Sequence, residues 1–182
     1  MRVSWYDESH TPGLTAVVQA VAAAGGAVGW LHVPDPAEVL AWLEGLAESG
    51  VRLAVATEGE EVLGCGGLRR QRPVVLSRMA EVTKVMTHPA AVRRGAARAL
   101  MDLLIGQARA DGVELLTLEC RGNNHGALRL YAQCGFQVTG RRPDAIAVGD
   151  ERFDQVLLHA DLRRGRSGLV RHGGRREGPG AT

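Results

Sequence analysis

The sequence predicts a single α/β (α+β) domain built on a mixed sheet, and three observations lead there. Strand-like and helix-like segments follow one another in the order β-α-α-β-β-β-α-β-α-β-β. Within that order Met79–Cys120 reads as a β-α-β unit, whose two strands become parallel neighbours through a right-handed crossover. The chain has 182 residues, 45% of them hydrophobic, which suits one ordinary core rather than a disordered or fibrous chain.

Each element has its own signal. A short extended start lies near Val3–Tyr6, and Leu14–Ala24 is an alanine-rich helix stopped by Gly25-Gly26. Pro34-Asp35-Pro36 marks a turn before a helix over Ala37–Ser49, whose Val39, Leu40, Trp42, Leu43 and Leu46 form an apolar stripe. Val51–Thr57 and Val62–Arg69 flank Glu58-Gly59-Glu60 as a hairpin. Gly64, Gly66 and Gly67 inside its second strand point to a bulge or a close backbone approach. A strand over Met79–Thr87 leads through a loop to a helix from about Arg94 to Ala110. Asp111-Gly112 turns into the apolar strand Val113–Cys120, followed by a helix over Asn123–Cys134. Phe136–Gly140 and Phe153–Leu162 are the last strands, so the domain is expected to span residues 1–162.

Composition excludes several function classes. No run approaches the roughly 18 apolar residues of a membrane span, and the first residues lack the pattern of a signal peptide, so the cytoplasm is the expected location. Cys65, Cys120 and Cys134 are scattered, leave one cysteine over in any disulfide scheme, and show no metal-ligand spacing. The net charge of +2 conceals a division: from Arg163 onward stand six arginines and one glutamate, leaving about −3 for the rest. A nucleic-acid reading would rest on that Arg/Gly-rich tail alone, which is expected to be disordered.

The most informative stretch is Val85-Met86-Thr87-His88-Pro89-Ala90-Ala91-Val92-Arg93-Arg94-Gly95-Ala96-Ala97-Arg98. A strand runs into a small-residue turn and then into an amphipathic helix. Gly95, Ala96 and Ala97 permit close approach to backbone N–H groups at a helix N-terminus, where the macrodipole favours anions. Arg93, Arg94 and Arg98 add charge-assisted donors, and a pyrophosphate suits the arrangement. A plain helix start with surface arginines accounts equally well for this stretch taken alone. A nucleotide P-loop is excluded because no Gly-Lys-Ser/Thr follows, and the glycines miss the Rossmann spacing.

This stretch resembles motif A of the GNAT superfamily of N-acetyltransferases, Gln/Arg-x-x-Gly-x-Gly/Ala, with Gly95 and Ala97 in the last two fixed places and Val92 where Gln or Arg is usual. Asn124–Phe136 resembles motif B of the same superfamily, Asn-x-x-Ala-x-x-Leu-Tyr-x-x-x-Gly-Phe. Shorter matches at Gly25–Trp30, Trp42–Leu46 and Ala80–Met86 are similar to the tabtoxin-resistance acetyltransferases, which act on a small antimetabolite amine. The resemblance implies a GNAT-like fold: a central, mostly antiparallel twisted sheet with one parallel splayed strand pair, flanked by helices. It also implies acetyl-CoA as co-substrate without a metal, and a small-molecule amine as acceptor, with a homodimer as an open option.

Acetyl transfer to an amine requires loss of a proton, since an alkyl ammonium with a pKa near about 10 is not nucleophilic at neutral pH. It also requires stabilisation of the carbonyl oxygen and a proton for the departing sulfur. The resemblance assigns the freed backbone groups of Val85, Met86 and Thr87 to the pantetheine arm, and Tyr131 to the acid, where a core tyrosine is the plain alternative. Glu119 ends its strand where open α/β sheets present ligands, and it competes with Glu81 for the role of base. Glu81 lies five residues before Met86, about 16 Å along an ideal strand, and an ion pair with an arginine would equally explain it. Asn124 either binds the cofactor arm or caps its helix. Cys120 and Cys134 read as buried hydrophobes, and His88 as a loop residue. Asp144, Asp150 and Asp154 are either amine-pocket residues or exposed loop charges. A protein N-terminal or lysine acetyltransferase and a non-catalytic acyl-CoA-binding regulator are the competing readings.

Overall fold

The structure is a computed structural model that describes residues 1–26 and 29–165. Its strands are β1 (Arg2–Trp5), β2 (Val51–Glu58), β3 (Glu61–Arg70), β4 (Met79–Thr87), β5 (Leu115–Arg121), β6 (Gln137–Val148) and β7 (Glu151–Asp161). The helices are α1 (Thr11–Ala23), α2 (Pro36–Glu48), α3 (Ala96–Ala110) and α4 (His125–Gln133). The strands form a seven-stranded sheet in the order β1-β2-β3-β4-β5-β7-β6. All neighbours are antiparallel except β4 and β5, the pair joined through α3.

The two faces of the sheet carry separate cores. On one, Leu14, Val17, Val18 and Val21 of α1 and Val39, Leu43 and Leu46 of α2 pack on Leu53, Val55, Cys65 and Met86. On the other, Leu100, Met101, Leu104 and Ala108 of α3 meet Ala54, Leu68, Val82, Leu116 and Leu158, with Tyr131 of α4 in the same cluster. Strand alternation sorts neighbouring residues to opposite faces, which is why both surfaces of β2 and β3 are apolar.

Helix ends follow their capping chemistry. The Asp35 carboxylate accepts the Glu38 N–H while the Glu38 carboxylate accepts the Asp35 N–H, a reciprocal box that starts α2 with Pro36 in its first turn. The Asn124 side chain accepts the Ala127 N–H and so starts α4. The helix expected from Arg94 begins at Ala96, because Gly95 takes φ 91° and breaks the helical path before it.

The largest difference from the sequence reading is β6, expected to stop at Gly140 and found to run to Val148. Arg141-Arg142-Pro143-Asp144 carries turn residues, yet it sits on the sheet's outermost strand, where a proline costs no ladder partner. A register shift between Arg142 and Ile146, with Asp144 at φ 53°, absorbs the irregularity. At the chain's other end Leu162–Gly165 form a short 3-10 turn, the Arg163 N–H and guanidinium donating to Asp161. The expected disordered tail otherwise falls on 166–182, outside the described residues. Among the described residues no helix is long and apolar enough to cross a membrane.

Candidate active site

The site is made by strands that begin as neighbours and then part. β4 and β5 pair only at Met79–Leu115, Ala80–Leu116 and Glu81–Thr117. β4 then runs on to Thr87 and β5 to Arg121 with no rungs between them, while β5 stays paired with β7 throughout. From Val82 onward the flank of β4 that faced β5 has no strand beside it.

A bulge in β4 accompanies the parting. Thr83 pairs with Gly67 and Met86 with Cys65, so three steps along β4 match two along β3, and Lys84 absorbs the extra residue at φ 55°. The bulge shortens the path from Glu81 to the end of β4 and exchanges the faces of the residues after it. Val82 and Val85 both lie on the α3 side, and Met86 turns into the α1–α2 core. β3 follows closely: a Cβ on Gly64 would stand 2.4 Å from the Met86 carbonyl oxygen, the close backbone approach its glycines announced.

A cavity of about 620 Å³ occupies the gap. Glu81, Val85, Glu119, Asn124 and Tyr131 all line it, together with Trp30 of the α1–α2 connection and Ile146 of β6. The carboxylates and the phenol reach it from opposite faces of the sheet. Leu116, Leu118 and Cys120 of β5 point into the α3–α4 core, so Thr117, Glu119 and Arg121 point to the α1–α2 side. By the same alternation Glu81, between Ala80 and Val82, shares that side. Tyr131 arrives from the α3–α4 core, through the gap.

Neither carboxylate stands alone. Glu81 forms an ion pair with Arg69, its cross-strand neighbour on β3, and its side chain is 21% exposed. Glu119 accepts from the Gln155 amide and from Arg142 Nη1 at 3.3 Å, and is 43% exposed. Gln155 Oε1 in turn accepts from Arg142 Nη1 at 2.8 Å, which holds all three side chains in one network. Tyr131 is 6% exposed, and burial raises its phenol well above the usual tyrosine pKa. Its proton is therefore present throughout the neutral range. Burial also raises the Cys65 thiol to about 12 and those of Cys120 and Cys134 above their ordinary value, leaving three poor nucleophiles.

The loop before α3 stands apart from this cavity. Ala91–Arg94 is a tight turn closed by an Arg94 N–H to Ala91 carbonyl bond of 3.2 Å, with Val92 at φ −59°, ψ 137° and Arg93 left-handed at φ 69°. Arg93 is exposed and forms no ion pair among the described residues. Arg94 reaches Glu58 and, at 3.7 Å, Glu61 on the β2–β3 hairpin. Arg98 is held by Asp102 one turn along α3, with contacts of 2.9 and 3.1 Å. The three arginines singled out in the sequence thus diverge. Gly95, Ala96 and Ala97 sit at the start of α3, and Met86 and Thr87 end β4, none of them lining the cavity. Asp144, Asp150 and Asp154 do not line it either: Asp154 faces Arg141 at 3.6 Å, and the Asp144 N–H contacts an Asp154 carboxylate oxygen at 3.4 Å. His88 Nδ1 accepts the Ala90 N–H in the loop.

A profile of the acetyltransferase (GNAT) family matches residues 14–136, from α1 to the end of α4 and its exit turn. The chain belongs to the acetyltransferase (GNAT) family. It is an acyltransferase, and the splayed pair on which its cavity opens is the parallel pair of a GNAT sheet. It is 27% identical over 158 residues to the L-methionine sulfoximine/L-methionine sulfone acetyltransferase of Pseudomonas paraeruginosa, covering 86% of this chain and 91% of that one. It is 34% identical over 89 residues to the mycothiol acetyltransferase of Brachybacterium faecium, a match that covers 49% of this chain and spans about a quarter (27%) of that protein. Among solved structures, that of yncA from Salmonella typhimurium with its cofactor acetyl-CoA shares the fold at a TM-score of 0.74 and 23% identity, covering 88% of this chain and 93% of that one.

Among the residues not anticipated from the sequence are Gln155 and Arg142, which hold Glu119, and Arg121, which lines the cavity beside it. Arg121 was within reach, since it follows Glu119 at the two-residue spacing of one strand face. Gln155 and Arg142 become neighbours of Glu119 only through the pairing of β5, β7 and β6.

Proposed function

We propose that this protein is an acetyl-CoA-dependent N-acetyltransferase that transfers the acetyl group directly to the primary amine of a small molecule, in the class of amino-acid analogues. The carrying observation is the single cavity in which Glu81, Glu119, Asn124 and Tyr131 meet beside the unpaired flank of β4. That cavity is bordered by the α1–α2 connection and by β6 and β7, a setting for a compact acceptor. The similarity to the methionine sulfoximine/methionine sulfone enzyme over nearly its whole length supports the same class.

The chain's own groups fit the cofactor. The β4 flank at Val85, Met86 and Thr87 offers backbone donors and acceptors to the pantetheine arm, and Asn124 lines the same cavity from the start of α4. The turn at Arg93, with Gly95, Ala96 and Ala97 behind it, turns orphan N–H groups toward a pyrophosphate at the start of α3. Arg93 is available to that anion directly, while Arg94 and Arg98 would exchange their carboxylate partners for it. When bound, acetyl-CoA supplies the activated acyl carbon.

Glu119 takes the proton that the acceptor's ammonium sheds, and Glu81 shares the field from the same face of the sheet. Tyr131, protonated at neutral pH, gives its proton to the departing sulfur from the opposite face. A bond from nitrogen to carbonyl carbon replaces the carbon–sulfur bond, and the second proton that the nitrogen sheds as the amide forms restores the Tyr131 phenol, while Glu119 releases the first to solvent. In this reading residues 1–162 form the catalytic domain and the enzyme works in the cytoplasm.

The test is thiol release from acetyl-CoA with a panel of amino-acid analogues, aminoglycosides and an N-terminal peptide. Turnover is expected with the amino-acid analogues and is expected to fall by about 100-fold in Glu119→Gln, within the range of a lost general base. Preference for the peptide, or cofactor binding without turnover of any acceptor, would replace this reading.

A further inference from the structure

Building on that reading, we infer that Arg121 is the anchor for a carboxylate on the acceptor, so that the enzyme's substrates are zwitterionic α-amino acids rather than plain amines. Arg121 ends β5 and lines the cavity. Its guanidinium carbon lies over the Phe153 ring, 4.8 Å from the centroid, a cation–π contact that restrains the side chain. Its Nε is buried without a hydrogen-bond partner, and its Nη2 has only a 3.4 Å contact to the Gly25 carbonyl. With Nε covered by protein atoms, the donor capacity left to Arg121 is that of its Nη groups, which one long contact to Gly25 does not fill.

The surrounding charges point to the kind of ligand. The carboxylates nearby are already engaged: Glu119 by Arg142 and Gln155, Asp154 by Arg141, Glu81 by Arg69. Arg121 has no ion pair among the described residues, and Lys84, which also lines the cavity, has none either. The cavity therefore holds cations in want of an anion. Glu119 and Arg121 project from the same face of β5 about 7 Å apart, a spacing that lets their side chains converge on the amine and the carboxylate of one amino acid. A guanidinium fork matches a carboxylate's two oxygens, and the Phe153 contact limits the freedom that fork would lose on binding.

The experiment compares methionine sulfone with its decarboxylated counterpart, 3-(methylsulfonyl)propylamine, in wild type, Arg121→Gln and Arg121→Lys. Wild type is expected to favour methionine sulfone. Arg121→Gln is expected to lose about 10- to 100-fold in kcat/KM for it, chiefly through KM, as for a lost charged hydrogen bond. The amine, which has no carboxylate to anchor, is expected to lose at least about 5-fold less, no more than about 2-fold in all, and Arg121→Lys recovers part of the loss. An equal fall for both acceptors would make Arg121 a brace for the Gly25 carbonyl and overturn the inference, as would an unchanged ratio between them. If wild type acetylates neither, the small-amine reading fails separately. Calorimetric titration with methionine sulfone then decides the subsite: binding lost in Arg121→Gln upholds it, and absence of binding to wild type overturns it.

Discussion

At Gly64 the close approach of β3 to β4 can be tested by one methyl group. A Cβ there would lie 2.4 Å from the Met86 carbonyl oxygen and 3.1 Å from the Thr87 Cα, where real contacts do not fall below 3.0 Å. The obstacle is backbone, so no rotamer change relieves it, and the two strands must separate beside the Lys84 bulge. Overpacking of this kind costs about 1–3 kcal/mol, and weakening a neighbouring rung adds about 1 kcal/mol. Gly64→Ala is therefore expected to destabilise by roughly 2–4 kcal/mol, a large part of a typical 5–15 kcal/mol. Its Tm should fall by about 5–15 °C for a chain of this size. Gly106→Ala is the control: Gly106 lies in α3 with nothing within 4 Å of its would-be Cβ, so alanine should stabilise by about 0.5–1 kcal/mol. Urea unfolding of both variants reads the two effects with opposite signs. A Gly64→Ala midpoint equal to wild type would refute the close approach, and with it the bulge geometry at the site.

Further outcomes test other parts of the molecule. Gly95→Glu should abolish acetyl-CoA binding in a calorimetric titration, because a side chain is strained at φ 91° and its charge repels a pyrophosphate; undiminished affinity would remove the phosphate role from the α3 N-terminus. Tyr131→Phe should lower kcat by about 10²-fold or more, as for a lost general acid, with cofactor affinity little changed; unaltered turnover would return Tyr131 to the core. Alkaline pH should destabilise the fold through Cys65, whose thiol is raised from an ordinary 9.0 to about 12. Between those values the folded chain holds a proton that the unfolded chain has lost, so the stability present below pH 9 drains away by up to about 4 kcal/mol toward pH 12. Urea midpoints at pH 8 and pH 11 check this, and a Cys65→Ala variant with the same pH slope as wild type would contradict it.

Much of this was legible because local chemistry was strong. Met79–Thr87 matches its strand end to end, and the αα pair before the hairpin, the crossover helix and the Asn124 cap follow from periodicity and capping residues. β6 was read too short because Pro143 and Asp144 carry turn chemistry, and nothing local reveals that their strand lies at a sheet edge. Glu81, Glu119, Asn124 and Tyr131 were singled out one by one from strand ends and motifs, and all four line the cavity. Their convergence could not be found so, because Glu81 and Glu119 belong to strands separated by a whole helix. Sequence groups Arg93, Arg94 and Arg98 in one stretch, whereas Arg94 pairs with the β2–β3 hairpin and Arg98 with Asp102 along α3.

The sequence by itself determined the fold class, the order of elements and the glycine that precedes α3, since each rests on interactions within a few residues. Tertiary structure alone decided where the parallel strands part, that Tyr131 and the carboxylates approach from opposite faces, and that Gln155 and Arg142 hold Glu119 while Arg121 beside it has no ion pair among the described residues. Those relations depend on strand register and on a one-residue bulge. A shift of one residue moves a side chain to the other face of the sheet without altering any local signal.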